Sequence, residues 1–298
     1  MTSTLLDIVN ETQLVLSGYT QRQDQATAIL SNMLAGDLSF QTTGTVVLSR
    51  GLIEIDDELI WIDTFDKTSN TAIIAPYGRG FRGTTAVSHT AGARLTVAPT
   101  FPRSVIERNV NATIDGLYPD LWGSVSTTFK FSAARTTYPI PQDCIDVISV
   151  SWQSIGPSRE WIPVKDYRID LMADPATWGG SKTISIYSGV IPGRTITLRY
   201  TNKPATLVNL TDVFETVTGL PSSVREVVVL GAAYRMAVYL DLARVPAMSP
   251  EAAAVGQTNP IGSGMQMSRA LKQMYSDRLL IEVRRQQSQF KPRVHHTR

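Results

Sequence analysis

Apolar and polar positions change their period several times along this chain, and each change predicts a change of element. From Thr4 onward, Leu5, Ile8, Val9, Val15 and Leu16 recur on one helical face, and Gly18 comes next as a stop. Residues 21–35 carry a weaker helical signal through Ala26, Ile29, Leu30 and Leu34. Between about 37 and 98 the pattern shortens to segments rich in branched side chains, at 45–48, 52–55, 59–62, 72–75 and 93–97, separated by Gly, Asp, Asn and Ser. Asp56-Asp57 reads as the tip of a hairpin. Short strands so closely spaced predict a small barrel or sandwich, compact enough to be a bounded insertion.

Helical spacing returns over 102–118, with Pro102 in the first turn, Ile106, Val110, Ile114, Leu117 and Leu121 on one face, and Pro119 as a stop. A second β region runs from about 126 to 200, clearest at 145–152, 183–187 and 195–200. The strongest helix signal is 221–244, where Ser223 and Glu226 are spaced as a capping box and Gly231, Ala232, Ala233 and Ala237 permit close approach. A Pro/Ala/Gly-rich loop over 246–264 precedes a last helix, 265–286, carrying Met265, Leu271, Met274, Tyr275, Leu279 and Ile281. The expected fold is α+β: a helical bundle carrying two inserted β-rich modules, with an extended C-terminal arm. Its expected segments are 1–36, 37–100, 101–123, 124–215, 216–286 and the arm 287–298.

Charge changes this picture only at the end of the chain. Net charge is +2, yet residues 283–298 hold five Arg and Lys (Arg284, Arg285, Lys291, Arg293, Arg298), His295, His296 and no carboxylate, so the remainder sums to −3. With Pro292 inside it and Phe290 among its few apolar side chains, this tail cannot build a core. It reads either as a solvated terminus or as an arm for a negative or grooved partner; the helical pattern running into it favours the arm. One cysteine, Cys144, excludes an intrachain disulfide and a thiolate metal cluster. No apolar run approaches eighteen residues and no basic-then-apolar segment opens the chain, so neither a membrane span nor a signal peptide is expected.

Candidate chemistry is sparse. Gly78, Gly80 and Gly83 match Gly-x-Gly-x-x-Gly, but no βαβ unit surrounds them, and residues 84–93 are too rich in Thr, Ser and Val for the required helix. The better reading is a turn with positive φ at glycines, from which Arg79 and Arg82 reach a neighbouring surface or solvent. His89 lacks a second ligand nearby and reads as a loop-stabilising side chain, and Cys144 as a buried thiol. Glu54, Asp56, Asp57 and Glu58 read as a solvated hairpin without a calcium-loop pattern. Trp152, Trp161 and Trp178 read as core rather than as a sugar platform. No catalytic set emerges, so no enzyme, cofactor or metal is expected.

One resemblance is carried by motifs. The segment 78–93, Gly-Arg-Gly-Phe-Arg-Gly-Thr-Thr-Ala-Val-Ser-His-Thr-Ala-Gly-Ala, is similar to a phage structural segment of the form Arg-Gly-x-x-Gly-Thr and then Ala-x-x-His-x-x-Gly-Ala. The helix ending Leu117-Tyr-Pro119 and the run Tyr138-Pro-Ile-Pro-Gln-Asp-Cys144 are similar to further parts of the same group. The chain thus resembles tailed-bacteriophage head-to-tail adaptor (connector) proteins. That resemblance implies a virion protein assembled in the host cytoplasm into a ring of twelve copies, set between the portal protein and the next neck or tail protein. It assigns portal binding to Arg284, Arg285, Phe290, Lys291, Arg293, His295, His296 and Arg298, and leaves Arg79, Arg82 and His89 as an interface loop. Nonspecific contact with channel DNA is implied by the basic residues, with no membrane involved. The alternative is a tail or baseplate protein with a β-rich module that binds a partner or carbohydrate.

Overall fold

The computed structural model describes residues 3–18, 24–155, 159–187, 189–238 and 263–290. About 31% of the chain is helical and 29% is strand, in three antiparallel sheets. The expected helical bundle with inserted β modules is therefore corrected: among the described residues, two apolar clusters are built mainly by strand residues. Two compact units are present, one made of Leu6–Ala112 with Val228–Tyr275, the other of Met1–Leu5, Thr113–Val227 and Ser276–Arg298.

In the first unit, α1 (Leu5–Ser17) has the expected apolar face, with Ile8, Val9 and Leu16 buried. Six strands come next: β1 (Gln25–Ala28), β2 (Ser39–Gln41), β3 (Gly51–Ile55), β4 (Glu58–Asp66), β5 (Thr71–Ile74) and β6 (Arg94–Val97), in the order β1-β6-β3-β4-β5-β2. The two outer strands of that order also meet. Leu30 donates its N–H to the Gln41 carbonyl (2.7 Å), Thr43 donates to Ala28 (3.0 Å), and Ile29 bridges Thr42. The sheet is closed into a barrel around Ile29, Met33, Phe40, Leu48, Ile53, Ile55, Ile60, Ile62, Ile74 and Leu95.

Two strand expectations fail here. Residues 25–28 are strand, not helix: Thr27 and Ile29 are buried while their neighbours are not, a period of two hidden by the alanines between them. Residues 45–48 form no strand, and Leu48 alone of them enters the core. The Asp56-Asp57 hairpin is as expected, with Ile55 opposite Glu58. At the barrel's base, the Asp24 carboxylate accepts from the N–H (3.2 Å) and hydroxyl (2.9 Å) of Thr100. The next helix is α2 (Arg103–Asp115).

The other unit is a sandwich. One sheet has the order β10 (Trp161–Pro163), β9 (Asp146–Gln153), β13 (Thr195–Asn202) and β7 (Gly123–Lys130). The other has the order β11 (Tyr167–Asp170), β12 (Thr183–Ile186) and β8 (Thr137–Pro139). Both contribute to one core holding Tyr138, Val150, Trp152, Ile184, Ile186, Ile196, Leu198 and Tyr200. Cys144 belongs to that core, and burial pushes its thiol up to about 11. Trp152 is core as expected, whereas Trp161 is half-exposed on the short edge strand β10.

After the short helices α3 (Pro175–Trp178) and α4 (Phe214–Thr218) come α5 (Arg225–Ala237) and α6 (Ser263–Gln289). The expected capping box does not form. Residues Ser222–Val224 make a 3-10 turn, and the Ser223 hydroxyl donates to Glu282 on α6 (2.7 Å), while Glu226 pairs with Arg278 (2.7 Å). Of the apolar residues assigned to the buried face of α6, Leu271 is buried, but Met265, Met274 and Ile281 are about half-exposed. The loop expected over 246–264 lies outside the described residues except at its end, where Ser263 and Gly264 already belong to α6.

Because β1 closes the barrel, residues 24–100 are expected to be the shortest stretch that folds alone. A fragment of those residues is expected to melt cooperatively in circular dichroism, whereas one spanning 38–98, lacking β1, is expected to show no transition. Equal melts for the two would show that closure contributes nothing.

Candidate functional site

Among the described residues, polar side chains with defined geometry gather at the glycine-rich loop of the barrel and at the end of α6 in the sandwich unit. In the first, the residues of the hairpin read as solvated acids are instead the hub. Glu58 and Glu54 are only 1% and 4% exposed. Glu58 Oε1 accepts from Arg79 Nε (2.7 Å) and the Gly80 N–H (2.9 Å). Its Oε2 accepts from Arg79 Nη2 (3.0 Å) and the Val87 N–H (3.1 Å), and lies 2.9 Å from His89 Nε2.

Arg79 uses all five of its donors. Beyond the fork on Glu58, it donates to the carbonyls of Leu34 (2.7 Å), Asp37 (3.1 Å) and Val87 (2.6 Å). His89 is equally engaged. Its Nδ1 lies 2.8 Å from Asp56 Oδ2, and its backbone exchanges both hydrogen bonds with Met33. Arg79 and His89 thus meet on one carboxylate inside the chain. Arg82 stands apart: it is exposed, its guanidinium lies 5.8 Å from the Phe81 ring, and its carbonyl accepts from Arg108 (2.9 Å).

The glycines divide their work. Gly80 and Gly83 take positive φ (58° and 82°), as expected of the turn, but Gly78 is required for space: a Cβ there would stand 2.6 Å from the Trp61 carbonyl oxygen. The segment after Gly80 is a 3-10 turn, Phe81–Gly83, so the loop does not open into a helix that could face a pyrophosphate.

Glu54 points from the same hairpin to the start of α2, where Oε1 accepts the Arg103 N–H (2.7 Å); Arg103 Nε donates to Asp57 (2.9 Å). The two buried acids titrate in opposite directions. Burial pushes Glu54 up to about 7, against the pull of the Arg103 N–H and charge. Burial is also the largest influence on Glu58, but the bonds from Arg79, Gly80, His89 and Val87 together outweigh it and hold the carboxyl below its ordinary range.

At the second place, α6 ends against Trp122. The Gln286 side chain brackets that residue's backbone, donating to its carbonyl (2.7 Å) and accepting from its N–H (3.3 Å). The Phe290 ring lies 6.4 Å from the indole. Beside it is a pocket of about 260 Å³ whose lining includes Ser124, Gly219, Leu220, Glu282, Gln286 and Phe290. Arg284 and Arg285, assigned to the arm, are exposed on the last turns of α6; Lys291, Arg293, His295, His296 and Arg298 lie outside the described residues. The sequence offered no signal for Gln286 or Trp122 as partners, since they are 164 positions apart. Glu58 had a faint one: a carboxylate heading the apolar run Leu59, Ile60, Ile62.

Glu54, with a folded pKa above its free value, contributes stability in full below pH 4.5 that is lost as pH rises through about 7. Glu54→Gln is therefore expected to match the parent at pH 5 and to exceed it at pH 8 by on the order of 3 kcal/mol in urea unfolding. Glu58 has the opposite sign: its contribution is present above pH 4.5 and lost as pH falls below it. Glu58→Gln leaves Arg79 buried without its counter-charge and is expected to cost about 3–5 kcal/mol at pH 7. A loss within about 0.5 kcal/mol, the scatter of ordinary surface substitutions, would remove Glu58 from the centre of the loop.

No curated protein matches the chain. The family described as SU10 adaptor protein matches residues 84–290, a span that starts just past Gly83, contains His89, the whole sandwich and α6, and stops at Phe290. Covering well over half of the sequence, that match establishes that the chain belongs to the SU10 adaptor protein family of phage structural proteins.

Proposed function

We propose that this phage adaptor is the subunit of a head-to-tail ring, twelve copies of which join the portal protein to the next neck or tail protein around the DNA channel. The observation that carries this reading is the end of α6. Gln286 and Phe290 fix it on Trp122, so the helix that carries the exposed Arg284 and Arg285 ends at one defined point. Lys291, Arg293, His295, His296 and Arg298 follow that point in sequence and, repeated in every copy of a ring, would supply the portal-binding charges. Exposed ion pairs contribute only ~0.2–1 kcal/mol each, so attachment depends on repetition around the ring.

Lateral packing has its own support. Met274, Leu280 and Ile281 are each more than half exposed on α6, an apolar surface suited to a second copy. Arg82 is the exposed member of the glycine-loop set, which supports its meeting a carboxylate of a neighbour. Contact with DNA in the channel is through charge alone and carries no sequence preference. No helix among the described residues is long and apolar enough to cross a membrane.

Two experiments test the reading. Truncation must come after Phe290 rather than Glu282, because the earlier cut removes Gln286 and Phe290 and loosens α6 itself. The chain ending at Phe290 is expected to keep its parental melting temperature and to lose co-sedimentation with assembled portal across a salt series. Attachment at parental affinity sinks the role of the arm. Ile281→Glu, at a half-exposed site, is expected to leave the melt unchanged and to abolish ring particles in electron cryo-microscopy; localisation of the parent to the distal baseplate overturns the ring itself.

A further inference from the structure

The four-stranded sheet of the sandwich ends in β7 on one side and β10 on the other. β7 pairs with β13 without a break, from Gly123 opposite Asn202 to Lys130 opposite Thr195. The next residue, Phe131, exchanges bonds with Gly193 and Arg194 on the β13 side. By alternation, Val125, Thr127 and Phe129 also bond towards β13, and Ser126, Thr128 and Lys130 turn their N–H and C=O away from it. Among the described residues these outward groups have no backbone partner. At the other edge, Ser154 donates to the Glu160 carbonyl (2.9 Å) and Val164 to the Val150 carbonyl (2.9 Å). Alternation then leaves the Trp161 N–H and C=O and the Pro163 carbonyl pointing outward.

These two edges fit each other from copy to copy. Direction alternates through the four antiparallel strands, so β7 of one copy and β10 of a copy rotated beside it run antiparallel. Faces agree as well. One cross-strand row is Phe129, Ile196, Trp152 and Ile162, on the core side of the sheet; the next is Thr128, Thr197, Ser151 and Pro163, on the other side. The outward backbone groups of both edges belong to rows of this second kind, so joining them keeps every core face on the same side. We infer that β7 of each copy pairs with β10 of the next, joining the sandwich sheets into one continuous band around the ring.

Side-chain chemistry sets the register. A rotation about an axis along the strands carries each row into the same row of the next copy, without stagger. Phe129, partly buried, then lies opposite the neighbour's Ile162, which is 37% exposed in the single subunit. Lys130 lies opposite the half-exposed Trp161, a cation over an indole, and beside the exposed Glu160. Lys130 and Trp161 exchange both backbone bonds, and the Thr128 N–H donates to the Pro163 carbonyl. A shift of two residues towards Ser124 would set Lys130 against Arg159 and leave Ile162 facing Thr127. The junction rests on the ring reading and adds to it the backbone contact that repeats head to tail, which is the kind of contact a ring closes.

Paired cysteines test it in the full chain assembled on portal, with Cys144 buried and out of reach. Cα atoms of a hydrogen-bonded pair lie about 5.5 Å apart, within disulfide range. Within one copy the two edges are three strand spacings apart, about 14 Å, so no disulfide closes inside the chain. Oxidised Lys130→Cys/Trp161→Cys chains are expected to give covalent ladders of trimers and larger, at least tenfold above the offset pair Ser126→Cys/Trp161→Cys. Adding Thr128→Pro, which removes only an outward N–H, is expected to keep the parental melting temperature and cut the ladder at least tenfold. Rings without a ladder, an equal ladder from the offset pair, or a ladder indifferent to Thr128→Pro overturn the junction and leave the ring standing. Cross-linking that stops at dimers assigns the edge to a two-fold pair and overturns it too. Absence of rings from the parent chain sinks ring and junction together.

Discussion

A carboxylate taken out of water has to be given donors, and the glycine-loop side of the barrel is organised around meeting that demand at Glu58. Arg79 and Val87 come to it from one loop and His89 from its end, and Arg79 in turn fastens the carbonyls of Leu34 and Asp37. Segments with no regular structure of their own are thereby held by side-chain and backbone bonds to one group. The apolar barrel core lies beneath them, but it is this polar hub that fixes their conformation. Glu54, across the same hairpin, performs the parallel task for the start of α2. One two-residue turn thus sends its flanking acids to two different structures, with opposite consequences for their protonation.

The elements were legible where the period was long or the residues were branched. α1 and α2 keep to their apolar spacing, and β3, β4, β9, β12 and β13 to their branched runs. β1 was missed because alanine satisfies either period, and only pairing with β6 decides between them. The fold class went wrong for a related reason. An apolar helical face announces that it is buried but not against what, and it says nothing of the two clusters that strands build. The half-exposed Met265, Met274 and Ile281 show the same limit from the other side, since spacing alone cannot say that a stripe is left uncovered.

The polar sites were legible in their parts and not in their pairing. Arg79 and His89 were visible as unusual residues in a glycine-rich turn, and the hairpin acids as a cluster, but nothing local says that one acid turns inward to receive both. Strand parity decides it: Ile55 opposite Glu58 puts that carboxylate at the mouth of the barrel. Gln286 and Trp122 are further still from legibility. A glutamine near the end of a charged helix reads as solvated surface until a backbone distant in sequence is brought against it.

Closure of the six-stranded sheet has a consequence for how densely these molecules can be packed. An open sheet of that size would offer two rows of unsatisfied amides, each a template for fibre growth when copies are crowded. The bonds between Leu30 and Gln41 and between Thr43 and Ala28 seal both rows against each other. The barrel can therefore be brought into contact with many of its own kind, and adhesion between copies is left to side chains rather than to backbone.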